Sequence, residues 1–294
     1  MSNENTYQFV RTVRSVCKPF PVLKENGIPV SLEQAQTHAG KLGHVFANHD
    51  LVEARTNVFN YFRDKEKTLK HPLWKDWSTI LTEEDQVEEN ILVFHGGYVF
   101  KNPDRITRAI KEGLIEGAGK LTEEEINILK EAMKKGVIPD TQIPVIPYGD
   151  FSKLSQFQIL QQLPRNYGVF LTLKEATNLE SGAHSLKQLE NSPLFIVRAG
   201  GVDRTTEYLY VLNELGAETY GNRHNFQENG GRLLYSDDYF GYGFDGYGHL
   251  DNDARFLGVS PAEGGVEKIT LIRPDLSDII KLSEQLTEGL KLLV

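Results

Sequence analysis

The stretch ILVFHGG, residues 91–97, ends an apolar run on a histidine and two glycines. A neutral imidazole carries one donor and one acceptor. His95 can therefore bond a buried carbonyl, ligate a metal, or hold a bound hydroxyl or amide. Gly96 and Gly97 have no side chains, so a ligand could approach the backbone there. No second metal ligand stands at a convincing spacing, which leaves the core and ligand-contact readings open. A second concentration of chemistry is YSDDYFGYGFDGYGHLDND, residues 235–253, where aromatic residues and aspartates alternate with glycines. Its part FGYGFDGYGHLDND, residues 240–253, cannot be regular helix. Two readings are balanced for it: a loop over a ligand or target, or an aromatic-rich loop packed on its own domain.

Several common chemistries lack their signatures. The chain has no GxxxxGK[ST] phosphate loop, no GxGxxG after a strand, no HExxH and no GxSxG. A calcium loop fails at DNDARFLGVSPAE. Asp251 and Asp253 alternate, but Arg255 stands where a third oxygen ligand belongs and Phe256 replaces the turn glycine. The single cysteine, Cys17, excludes an intrachain disulfide and a several-thiolate zinc site.

With 294 residues, 39% hydrophobic and 25% charged, the chain can bury a substantial core. Its formal net charge of -9 disfavours a general grip on nucleic acid or anionic membrane. The polar start MSNENTYQFV is unlike a signal peptide, and no apolar run approaches a membrane span. The expected location is cytoplasmic, with export by a route lacking a cleaved signal left open.

The elements that must position these residues divide near residue 90. Residues 1–90 are expected as a small α-rich or α+β domain. SLEQAQTHAGKLG opens on a capping pattern, Ser31 and Gln34. NHDLVEARTNVFNYFRD predicts a helix capped by Asp50, with Glu53 at its third position and Leu51, Val58, Phe59 and Phe62 on one face. The acidic run Glu83, Glu84, Asp85, Glu88 and Glu89 reads as a solvated linker. Residues 91–294 are expected as a larger α+β domain. ILVF and YGVFLTL predict strands, DRITRAIKEGL a helix ended by Gly113, and LTEEEINILKEAMKKG a helix with Thr122 and Glu125 as capping box and Gly136 as stop. VIPDTQIPVIPYGD is loop or edge strand. KEATNLESGAHSLKQLEN predicts one helix or two short turns, PLFIVRAGG a strand, and YLYVLNELGAETYG fits helix or strand. VEKITLIRPDL predicts a last strand and SDIIKLSEQLTEGLKLL a closing helix.

The order VFHGG, ITRAIKEGL, GVFLTLKEA, PLFIVRA resembles the histidine-containing branch of the ADP-ribosyltransferase fold, diphtheria-toxin and PARP type, through His95, Gly96, Gly113, Leu114, Gly168, Phe170, Leu171 and Thr172. The resemblance spans roughly residues 91–275 and implies a split β-sheet core with short helices. It implies NAD as substrate: His95 on the nicotinamide ribose, Gly96 and Gly97 holding the amide, and Phe170 stacked on the ring with Tyr167 beside it. Gly168 and Thr172 complete that expected pocket. The family's glutamate has no counterpart between Glu228 and Glu263, so Asp253 takes the catalytic carboxylate's place in this reading, with Asp251, His249, Glu263 and Glu267 as spares.

The expected function is thus ADP-ribosyl transfer from NAD to an unidentified macromolecule or small molecule, in a toxin or effector. Two rivals stand beside it. One is a degenerate nucleotide- or partner-binding module, motivated by the absent glutamate. The other is a non-enzymatic protein- or glycan-binding protein that uses the Tyr/Gly-rich loop 239–251.

Overall fold

The computed structural model describes residues 15–21, 27–76, 78–236, 243–247, 249–251 and 255–261. Ser15–Pro261 forms one compact unit. The strand and helix expected after residue 265 lie outside the described residues.

The unit opens on β1 (Ser15–Pro21) and helix α1 (Gly27–Ala39). The helix starts before the expected cap: Ser31 lies inside it and its hydroxyl donates to the Phe20 carbonyl. After β2 (His44–Val45), α2 (Asn48–Phe62) begins two residues before its expected cap, so that Asp50 stands at its third position, accepting from the Ala47 N–H at 3.0 Å. Its buried face is Leu51, Val52, Arg55 and Thr56, so the predicted stripe is rotated to include a cation. Short helices α3 (Lys65–Lys70) and α4 (Pro72–Lys75) follow, and α4 places Trp74 in the core.

The acidic run is the largest departure from expectation. Instead of a solvated linker, Glu83, Glu84 and Asp85 lie within β3 (Ser78–Val87) and all three are buried. β3 turns through Glu88 and Glu89 into β4 (Asn90–His95). Position 90, expected to divide two domains, is therefore the first residue of a strand paired with the one before it.

Helix α5 (Pro103–Glu112) stops at Gly113, as predicted, and carries Asn102 as its cap. A hairpin of β5 (Leu114–Ile115) and β6 (Ala118–Lys120) leads to α6 (Glu123–Lys135), whose Thr122–Glu125 capping box and left-handed Gly136 match the sequence pattern. The proline-rich stretch yields edge strand β7 (Val145–Pro147). Then come α7 (Tyr148–Phe151), α8 (Gln156–Gln162), β8 (Tyr167–Thr172), α9 (Leu173–Ala176), β9 (Gly182–Ser185) and α10 (Leu186–Leu189).

PLFIVRA, expected as a strand, is helix α11 (Pro193–Ala199). Ser192 caps it and Pro193 occupies its first turn, a start signal that outweighs the apolar run. Leu194 to Ala199 are all buried, so no polar face marks the helical period. Helix α12 (Val202–Glu214) and strand β10 (Thr219–His224) divide the ambiguous YLYVLNELGAETYG between them. β11 (Gly230–Ser236), β12 (Phe244–Gly246) and β13 (Arg255–Pro261) complete the unit.

Among the described residues the main sheet runs β7-β8-β4-β3-β11-β12-β10-β9, with β6 also on β11 and β5 on β6. Most pairs are antiparallel; β7–β8 and β12–β10 are parallel. A smaller sheet, β1-β13-β2, joins the two ends of the unit. One face of the main sheet packs Leu92, Phe94, Leu233 and Tyr235 against α1, α5 and α6. The other packs against α2, α11 and α12 through Val52, Val197, Tyr208 and Phe244. The α+β expectation stands. Among the described residues no helix is long and apolar enough to cross a membrane.

Candidate functional site

His95 ends β4 fully buried, and its Nε2–H donates to the Val197 carbonyl at 3.0 Å. Its ring lies 4.7 Å from that of His49 and 4.8 Å from that of Tyr167. Burial holds its pKa well below the usual imidazole value, so it is neutral at pH 7. The core reading of His95 thus has a specific partner, the last turn of α11.

The residues expected to surround His95 are split between the two sheet faces. Ile91 and Val93 on β4 and Tyr167, Val169 and Leu171 on β8 share the face of Val197. Leu92 and Phe94 point the other way, and Phe170, opposite Leu92 in register, packs with them. Side chains alternate along a strand, so Phe170 cannot face His95 across a pocket. A side chain at Gly168 would run into Phe94 at 2.6 Å. Gly96 and Gly97, both at positive φ, make the turn after β4 and meet Asn166 and Leu81 rather than open space. The Tyr167 ring is buried and its hydroxyl has no hydrogen-bond partner among the described residues. Thr172 caps α9 by accepting from Glu175 N–H. Asp253 lies outside the described residues. No three His, Cys, Asp or Glu side chains among the described residues could hold a metal.

What the structure does assemble is a face built on β10, β11, β12 and the β5–β6 hairpin. Buried arginines fix its backbone. Arg198 of α11 donates to Glu84 at 2.7 and 2.8 Å, to Asn222 Oδ1 at 2.8 Å, to the Arg223 carbonyl at 2.9 Å and to the Phe244 carbonyl at 3.4 Å. Arg232 of β11 donates to the Gly246 carbonyl at 2.9 Å and to the Glu116 carbonyl at 3.2 Å. It thereby ties the end of β12 to the hairpin. The Tyr235 hydroxyl donates to the His249 carbonyl at 2.8 Å. Each bond satisfies a carbonyl that an irregular segment would otherwise leave buried and unpaired.

The glycines of the Tyr/Gly-rich stretch now have a physical role. A Cβ at Gly243, which has φ +79, would lie 2.5 Å from the Gly221 carbonyl oxygen; one at Gly246 would lie 2.8 Å from the Arg198 guanidinium. Only glycine lets β12 pass that close. On this frame Tyr247 is 49% exposed, and the His249 and Asp251 side chains are 50% and 53% exposed. Beside them, exposed Glu116 accepts from Asn225 and Gln227 side chains at 3.3 and 2.8 Å.

Glu84, Arg198, Arg232 and His49 went unnoticed in the sequence as functional or supporting residues. The dipeptide Ser192-Pro193 is the signal that could have turned PLFIVRA into a helix and Arg198 inward. Nothing local marks the partners of Glu84 or Arg232.

No family model matches the sequence, and no curated protein matches it. A solved chain described as "Accommodation of massive sequence variation in Nanoarchaeota by the C-type lectin fold" matches with a TM-score of 0.60 at 19% identity, over 84% of this chain and 98% of that one. At that identity the likeness shows the fold, which is of the C-type lectin kind. It overturns the resemblance to ADP-ribosyltransferases, on which the split core expected over residues 91–275 rested. The readings as an NAD-using transferase, toxin or effector rested on that resemblance and lose their support with it.

Proposed function

We propose that the chain is a non-enzymatic binding module that presents the stretch around residues 243–251 to a partner. One observation carries this reading. The exposed Tyr247, His249 and Asp251 side chains project from a backbone pinned by the buried arginines Arg198 and Arg232 and by the Tyr235 hydroxyl. A rigid frame with exposed aromatic and polar side chains lowers the ordering cost of binding, because the backbone is already set. Tyrosine in particular offers a large contact area with few rotatable bonds. The fold likeness adds to this, since the matched chain is described in terms of accommodating sequence variation within a C-type lectin fold. An exposed set of side chains on a fixed frame is what such tolerance requires.

Glycan and peptide arrays probed with wild type and with Tyr247→Ala/Asp251→Ala test the reading. Exposed side chains contribute little to stability, so the double variant should keep its unfolding midpoint. Signals bound by the wild type should fall. Array signals unchanged in the double variant, or mapped to another face by hydrogen exchange, would overturn the assignment.

A further inference from the structure

His49 and His95 meet inside the unit, away from the presented side chains, yet one step from the clamp that holds them. His49 lies in the first turn of α2 and His95 at the end of β4, with ring centroids 4.7 Å apart and edge to face. Tyr167 at the start of β8 closes the group, 4.8 Å from His95 and 5.9 Å from His49. All three are at least nine-tenths buried. Among the described residues, His49 Nδ1, His95 Nδ1 and the Tyr167 hydroxyl have no hydrogen-bond partner.

The group touches α11 at its last turn. His95 Nε2–H donates to the Val197 carbonyl, and the side chain of Asn48, the residue before His49, donates to the Arg198 carbonyl at 2.7 Å. Arg198 is the residue whose guanidinium holds Asn222, the Arg223 carbonyl and the Phe244 carbonyl. Two consecutive carbonyls of α11 are thus held by the histidine seam, and the side chain between them holds β10 and β12.

We propose that this seam is an acid-operated release for the binding face: protonation of His49 and His95 loosens the last turn of α11 and with it the Arg198 clamp on β12. The proposal rests on the binding-module reading of that face.

The surroundings cannot neutralise two added charges. Asp50 of α2 is the carboxylate at hand, 3.5 Å from His49 Nε2. It is already shared with His44 of β2 at 3.7 Å and with Arg165, ahead of β8, at 3.0 Å. From α12, Arg204 donates to the His49 carbonyl at 3.4 Å, and its own carboxylate partner is Glu53. A second cation beside His49, with Arg165 and Arg204 close by, has to reach water. Burial, opposed by Asp50 and reinforced by Arg204 and Arg165, lowers His49 to about 4, and burial holds His95 well below its usual value too. The seam is therefore neutral at pH 7 and charges in acid.

Hydrogen exchange on the full chain, without ligand, tests the device. Rates are corrected for intrinsic chemistry and followed from pH 7 to pH 4. Protection of residues 193–199 and 244–246 should fall by about tenfold or more near pH 4, while α6 keeps its protection. His49→Gln should abolish the step or shift it to lower pH. Arg165→Gln lies at a half-exposed position, so it serves where His49→Gln does not fold. It removes a charge that opposes His49 protonation, so the step should move to higher pH. Unchanged protection down to pH 4, loss of α6 together with β12, or an unshifted step in Arg165→Gln would each overturn the proposal. None of these readouts uses a ligand, so their failure leaves the array result standing, and failure on the arrays leaves the exchange result standing.

Discussion

The Arg198 guanidinium and the Glu84 carboxylate, 114 residues apart, meet as a fully buried bidentate pair with N–O distances of 2.7 and 2.8 Å. The pair joins α11 to β3 through the sheet face that carries His95, and its spare N–H groups reach β10 and β12. Arginine suits this place because its planar fork satisfies a carboxylate and several carbonyls at once.

Removing one partner leaves the other charge buried alone. Arg198→Met should therefore destabilise the fold by about 3–5 kcal/mol, seen as a lower urea midpoint. Arg198→Met/Glu84→Leu should recover much of that loss, since a buried pair replaced by apolar residues is often near neutral. A double variant no better than the single one would show that the carbonyl contacts, rather than the charge pair, dominate.

Glu83 and Asp85 point to the opposite sheet face and solve their burial differently. Glu83 accepts the N–H groups of Tyr98, Val99 and Phe100 at 2.7, 3.0 and 2.9 Å. Burial, and after it the neighbouring Glu83 charge, push Asp85 well above the usual carboxylate range, which favours its neutral form beside Glu83. A pKa raised on folding contributes stability below the unfolded value and loses it as pH rises through the folded value. Asp85→Asn keeps the size of the side chain and removes the titration. Its melting temperature relative to wild type should therefore climb between pH 5 and pH 9, measured by thermal unfolding across that range. A flat difference would show that Asp85 does not change its ionisation on folding.

Gly231 makes room for that acid pair. A Cβ there would run into Asp85 Oδ1 and lie 2.7 Å from Phe100. Gly231→Ala should cost about 1–3 kcal/mol by overpacking, read from denaturant unfolding. Combining it with Asp85→Ala should return part of the loss. Equal midpoints for Gly231→Ala and wild type would mean that β11 can shift at no cost.

His49 sets an acid limit on stability in its own right. Its folded-state pKa is lowered by burial to about 4 from 6.5. A base depressed on folding contributes stability that is present above 6.5 and is lost as pH falls towards the folded value. The loss should approach roughly 3 kcal/mol by pH 4, and His49→Gln should remove it. Urea midpoints at pH 7 and pH 4.5 check this: wild type should lose more between the two than the variant does.

Much of the secondary structure was legible because its causes are local. The Thr122–Glu125 box, Gly113, Gly136 and the prolines of residues 139–147 act within one or two turns of chain, and α5, α6 and β7 follow from them. β4 and β8 were legible from short apolar runs. PLFIVRA was not, because a helix buried on every side shows no 3.6-residue period. The acidic strand was not, because Glu83, Glu84 and Asp85 owe their burial to Tyr98–Phe100, Arg198 and Gly231, which lie outside any local window.

The sequence alone determined that the chain is α+β, where α5 and α6 stop, and that residues 240–253 could not form a regular helix. Tertiary structure alone decided which side of the sheet each residue faces. A strand's period of two places Phe170 behind the sheet from His95, and only the pairing of β4 with β8 reveals it. The same pairing turns His95 from a candidate ligand contact into a bond to Val197. Long-range partners fix buried charges, because desolvation in the core is offset only by groups brought there by folding.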